Sequence, residues 1–130
     1  MSQDREQRKA RAVVAEDEPL HRMQTADLLD EAGFEVIEVS NAADALVHLE
    51  RQRIDLLFTD VRMPGRMDGL MLAHEVDRRW PHVRIVVCSG VKGLDRGALP
   101  SRAVFFDKPY QPAQVTAEVI PVSDPTAARP

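Results

Sequence analysis

Short runs of β-branched and other apolar residues alternate along this chain with longer stretches whose apolar positions recur at helical spacing. Such alternation predicts an α/β domain, a parallel sheet whose strands are joined by crossover helices. Five strands are expected. The first is Ala12-Val13-Val14-Ala15. Past Glu16-Asp17-Glu18, a helix is expected over Pro19 to Ala32, with Leu20, Met23, Leu28 and Leu29 as its apolar positions. Gly33 stands where a helix end favours a left-handed residue, ahead of a second strand from Phe34 to Val39. Ser40 or Asn41 can cap a second helix carrying Ala42, Ala45, Leu46 and Leu49.

The third strand, Ile54 to Thr59, has an apolar centre that reads as buried on both faces, and it delivers Asp60 at its carboxyl end. A loop from Val61 to Met67 leads to a third helix over about Asp68 to Arg79, with Leu70, Ala73, Val76 and Trp80 turned inward and Pro81 as its stop. Strand four is Val83 to Cys88, ending at Ser89-Gly90, and strand five is Ala103 to Phe106. Between them Gly93, Gly97 and Pro100 make poor helix material, so a short or irregular fourth connection is expected. A last helix is expected from about Pro112 to Ile120. The domain is thus expected over residues 11–120, after a flexible segment 1–10 and before a disordered tail 121–130 rich in Pro, Ala, Ser and Thr.

Composition narrows the function classes. A chain of 130 residues suits one hydrophobic core, and 44% apolar with 29% charged residues is ordinary for a folded soluble domain. The net charge of -4, with no dense run of Lys and Arg, argues against a nucleic-acid surface. Cys88 is the single cysteine, which rules out an intramolecular disulfide and any Cys-rich zinc cluster. The first ten residues lack a signal-peptide core, and no apolar run approaches the ~20 residues of a membrane span. A cytoplasmic protein, neither exported nor embedded, is expected.

Ligands of doubly wound sheets bind beyond the carboxyl ends of the strands. The residues placed there are Glu16, Asp17, Asp60, Ser89 and Lys108. Carboxylates crowded together repel unless a cation neutralises them, and hard oxygen donors select Mg²⁺ or, similarly, Mn²⁺. A carboxylate in such a site can attack a phosphoryl group to give an acyl phosphate, and catalysis reduces to positioning and charge neutralisation. Asp60 is the best nucleophile because it is central. The Lys108 ammonium and the Ser89 hydroxyl can each engage one transferred oxygen.

From Ala12 to about Ile120 the chain resembles the receiver domain of two-component response regulators. The resemblance rests on Val13-Val14-Ala15-Glu16-Asp17-Glu18-Pro19-Leu20, on Thr59-Asp60-Val61-Arg62-Met63-Pro64 followed by Met67-Asp68-Gly69, on Ser89-Gly90, and on Phe105-Phe106-Asp107-Lys108-Pro109-Tyr110. It implies a flavodoxin-like, doubly wound, five-stranded sheet of order 2-1-3-4-5. It further implies that Glu16 and Asp17 are the acidic pair, that Asp60 is phosphorylated, and that the Arg62 backbone carbonyl joins Glu16, Asp17 and Asp60 as a metal ligand. Ser89 would be the switch hydroxyl, Phe105 the switch aromatic, and Lys108-Pro109 a cis peptide. The implied partners are a sensor histidine kinase or phosphotransfer protein as donor and a downstream protein as target, with the chain a monomer or weak homodimer. No effector segment follows in this sequence, so a stand-alone regulator is expected.

Departures from the family pattern are local. Glu16 replaces the commoner Asp, the Pro64 to Asp68 loop carries one extra residue, and the interval from Ser89 to Lys108 is short by about a helical turn. Two other readings stay open. A binding-only pseudo-receiver would keep the fold without phosphorylation. A Mg²⁺-dependent phosphatase with an Asp nucleophile would turn over, although its nucleophile normally follows the first strand in a DxD-type motif. Cys88 reads as packing, and His21, His48, His74 and His82 as solvated side chains, since they share no metal-ligand spacing. The Arg62 side chain is expected near enough to the phosphoryl group to influence its hydrolysis.

Overall fold

The computed structural model describes residues 9–91 and 94–119. Five strands form one parallel sheet: β1 (Arg11–Ala15), β2 (Glu35–Val39), β3 (Leu56–Asp60), β4 (Arg84–Ser89) and β5 (Val104–Asp107), in the order β2-β1-β3-β4-β5. Among the described residues four helices connect and cover them: α1 (Pro19–Glu31), α2 (Ala42–Arg51), α3 (Gly69–Arg79) and α4 (Pro112–Val119). This is the flavodoxin-like architecture expected from the sequence. The expected end of the last helix at Ile120, residues 1–8 of the segment expected to be flexible, and the expected tail 121–130 lie outside the described residues. Ala10, expected in the flexible segment, is buried and its carbonyl accepts the Glu35 N–H at 2.8 Å.

Alternation along the strands explains the two layers. Val13, Ala15, Leu57, Ile85 and Val87 point to one face, where α2 and α3 cover them with Ala42, Ala45, Leu49, Leu72, Ala73 and Val76. Ala12, Val14, Leu56, Phe58, Val86 and Cys88 point to the other, beneath Leu29 of α1 and Val115 and Val119 of α4. Each fully buried Leu, Val or Phe contributes roughly 1.5–3 kcal/mol, and β3 is buried at every position.

Local chemistry sets the boundaries. Glu18 caps α1, its carboxylate accepting from the backbone N–H groups of Leu20 and His21 at 3.1 Å each. Asn41, not Ser40, caps α2 by accepting the Asp44 N–H at 2.8 Å, and Asp68 caps α3 through Met71 N–H at 2.9 Å. Gly33 (φ 105°) and Gly65 (φ 103°) take left-handed conformations. Gly65 turns the loop that carries the extra residue.

The expectation for α1 needs correction. Leu29 is fully buried and Leu28 packs against the same cluster as expected, but Leu20 and Met23 are 58% and 55% exposed, and Thr25 and Ala26 complete the buried face in their place. Its inner seam joins Leu29 to the smaller Thr25 and Ala26, and those two the large apolar positions did not reveal. On α3, Leu72 is a fully buried residue, while Leu70 and Trp80 are half-buried against the same cluster.

Between β4 and β5 the described residues hold a single 3-10 turn, Arg96–Ala98. Leu99 and Pro100 are buried, the Asp95 carboxylate accepts the Gly97 N–H at 2.9 Å, and α3 straps the segment down. His74 Nε2 donates to the Ala98 carbonyl at 2.5 Å, and Arg102 pairs with Asp77 at 2.6 Å while donating to the carbonyls of Val83 and Trp80. His74 is therefore exposed but engaged, where a freely solvated ring was expected.

Candidate functional site

Strand register brings the candidate residues to one edge. Ala15 pairs with Thr59, Asp60 with Cys88, and Ser89 with Asp107, so Glu16, Asp60, Ser89 and Lys108 end neighbouring strands side by side. The backbone continues the ladder past the strand ends: Glu16 N–H donates to Val39, Val61 N–H to Cys88 and Lys108 N–H to Ser89. The Lys108-Pro109 peptide is cis. An open cleft of about 810 Å³ runs over this edge, lined among others by Glu16, Asp17, Asp60, Arg62 and Lys108.

Within the cleft the Lys108 ammonium lies 2.7 Å from Glu16 Oε1 and 3.3 Å from Asp60 Oδ2. Glu16 and Asp60 are buried, whereas Asp17 is exposed at the rim. The second Glu16 oxygen accepts the Glu18 N–H at 3.1 Å, and Asp60 Oδ1 accepts the Val61 N–H at 2.9 Å. Asp60 thus keeps one oxygen fixed by backbone and one facing the ammonium. Burial by itself would depress the Lys108 ammonium, but the Glu16 hydrogen bond, with the neighbouring Asp60 and Glu16 charges, holds its pKa above the ordinary value. The ammonium is consequently charged throughout the neutral range.

Carboxylate oxygens of Glu16, Asp17 and Asp60 come within 4.8 Å of one another. Among the described residues the carboxylates of Glu16, Asp17 and Asp60 cluster beside the Lys108 ammonium, an all-oxygen donor set that suits a hard divalent cation. Arg62 lines the cleft with an exposed side chain. Ser89 is buried and lines a recess shared with Asp60, Gly90 and Lys108, its hydroxyl accepting the Val91 N–H at 3.0 Å. Phe105 is half-buried against the α2/α3 face, and the Arg96 guanidinium sits 4.8 Å over its ring while reaching Asp107 at 3.3 Å. Burial pushes the Cys88 thiol up to about 12, so Cys88 is an inert packing residue.

Sequence reasoning missed several supporting groups. Thr59, fully buried, donates its hydroxyl to the Asp60 carbonyl at 2.9 Å. Gly69 packs against that same carbonyl: a Cβ there would lie 1.8 Å from the oxygen. Tyr110 and Thr25 share a 2.6 Å hydrogen bond across 85 residues of sequence. Thr59 and Gly69 stand inside quoted motifs, whereas the Thr25 contact has no local signal.

Comparison with known proteins agrees with this geometry. Residues 12–119 match the family described as response regulator receiver domain. The chemotaxis protein CheY of Thermotoga maritima is 30% identical over 117 residues, 87% of this chain and 97% of its own. The transcriptional regulatory protein FixJ of Azorhizobium caulinodans is 34% identical over 116 residues, 82% of this chain but only 51% of its own length. Among solved structures, a response regulator receiver protein from Sinorhizobium medicae gives a TM-score of 0.81 at 28% identity, covering 88% of this chain and 94% of its own. TrrA of Thermotoga maritima, solved in complex with Mg²⁺-BeF, shares the fold with a TM-score of 0.68 at 23% identity, covering 85% and 98%. No helix among the described residues is long and apolar enough to cross a membrane.

Proposed function

Because this chain belongs to the response regulator receiver domain family, a family of signalling switches, we propose that Asp60 accepts a phosphoryl group from the phosphohistidine of a sensor kinase or phosphotransfer protein. The observation that carries the reading is the contact of the Lys108 ammonium with both Glu16 and Asp60, beside the Asp17 carboxylate. Asp60 Oδ2 attacks phosphorus, the O–P bond forms, and the N–P bond breaks with its electron pair returning to the donor imidazole. Lys108 neutralises a phosphoryl oxygen as charge develops, and the backbone N–H of Val61 fixes the other Asp60 oxygen so that attack needs no reorientation. A divalent cation, Mg²⁺ or Mn²⁺, would be held by Glu16, Asp17, Asp60 and the Arg62 backbone carbonyl, and would supply further charge neutralisation.

In the switch that follows, the Ser89 hydroxyl turns to the phosphoryl group and Phe105 moves behind it, changing the surface offered to a downstream protein. That surface includes the strapped Leu94–Ala103 connection. Incubation with acetyl phosphate and Mg²⁺ tests the reading. Uptake of one phosphoryl group, lost in Asp60→Asn, supports it. No uptake, with no spectral response to beryllofluoride, favours a binding-only domain, and multiple turnovers favour a phosphatase.

A further inference from the structure

Helix α1 is bonded to Glu16 and to Tyr110, the residue two beyond its ion-pair partner Lys108. Arg22 Nη1 donates to the Glu16 carbonyl at 2.9 Å. One turn further, the Thr25 hydroxyl, only 4% exposed, bonds the Tyr110 hydroxyl at 2.6 Å. Tyr110 stands two residues beyond Lys108, and its ring is wedged between Phe58 and Phe106, with centroids 5.8 and 6.3 Å away. The ring is therefore held from one side by the core and from the other by α1. Packing alone does not need those hydroxyls, since a Val and a Phe would fill the same space without two polar groups to satisfy. What the bond adds is a fixed distance between α1 and the chain that carries Lys108.

We propose that the Thr25–Tyr110 hydrogen bond is a positioning strap that holds the Lys108 ammonium against Glu16 and Asp60. The proposal rests on phosphorylation of Asp60 as the site's chemistry. Loss of either hydroxyl frees the turn after Lys108, and small displacements of a group that neutralises transferred oxygens are costly in rate. Tyr110 and Thr25 do not line the cleft of Glu16, Asp17, Asp60 and Lys108, so both act through Lys108.

The test compares wild type, Tyr110→Phe, Thr25→Val and Thr25→Ser. Two readouts are used: the rate of phosphorylation by acetyl phosphate, and the ¹⁵N ammonium signal of Lys108, which is sharp only when the group is held. Tyr110→Phe and Thr25→Val are expected to broaden or abolish that signal and to slow phosphorylation by about three- to tenfold while remaining folded. Thr25→Ser, which restores a hydroxyl, is expected to recover both. An unchanged ammonium signal in the two deletion variants, or unchanged rates in both, overturns the strap. If wild type itself takes no phosphoryl group, the phosphorylation reading fails, and the ammonium signal still decides whether the strap exists.

Discussion

Replacing Gly69 with alanine probes how β3 and α3 together place Asp60. A Cβ at this position would lie 1.8 Å from the Asp60 carbonyl oxygen, 2.7 Å from its carbon and 2.9 Å from Val61 Cα. Carbon and oxygen approach comfortably at about 3.3 Å, so about 1.5 Å of relief is needed. All three obstacles are backbone, and the Gly69 N–H is bonded to the Val61 carbonyl at 2.8 Å, so no side-chain rotation can provide it. Either α3 lifts from β3 or Asp60 is pushed out of place. Overpacking of this kind costs about 1–3 kcal/mol, offset by up to about 1 kcal/mol from alanine's better helix propensity. A net loss of roughly 1–2 kcal/mol in urea unfolding is expected. Displacement of Asp60 by about 1 Å is expected to slow acetyl phosphate uptake by up to about 10²-fold. A Gly69→Ala protein as stable as wild type, or more so, and phosphorylated at the wild-type rate would refute the packing argument.

Other perturbations follow from the same geometry. Leu20→Ser and Met23→Gln should shift stability by no more than about 0.5 kcal/mol, while Leu29→Ala on the buried side of α1 should cost about 2–5 kcal/mol in the same unfolding assay. Arg62→Ala should slow self-dephosphorylation about two- to fivefold, as loss of an exposed cation near the phosphoryl group would, and an unchanged lifetime would remove Arg62 from the chemistry. Cys88, Lys108 and Tyr110 all have raised pKa values, Cys88 moving from 9.0 to about 12 by burial. With rising pH the unfolded chain releases these protons first, so their contribution is complete below about pH 9 and is lost above it. Denaturant midpoints that rise above pH 9 would contradict these assignments.

The strand ends were legible because they need particular residues at one edge. Short apolar runs located β1, β3, β4 and β5, and the carboxylates and Lys108 beyond them pointed to one site before any geometry was known. The breakers Gly97 and Pro100 foretold a short connection, which among the described residues holds a single 3-10 turn. What they could not foretell was how the segment is fastened, since His74–Ala98 and Arg102–Asp77 are tertiary contacts between α3 and a loop. On α1, Leu29 was read correctly but Leu20 and Met23 misled because Thr25 and Ala26 take their place in the seam, and Thr25 is polar for a reason 85 residues away, at Tyr110. The Glu18 cap was hidden because Glu is an uncommon capping residue.

The most direct test of the account is chemical mapping of the modified residue. After treatment with acetyl phosphate and Mg²⁺, borohydride reduces an aspartyl phosphate to homoserine, which peptide mass spectrometry locates. The account predicts homoserine at position 60 alone, absent when Mg²⁺ is chelated or Asp60 is replaced by Asn. Reduction at another carboxylate, or none in protein that has demonstrably taken up phosphate, would contradict it.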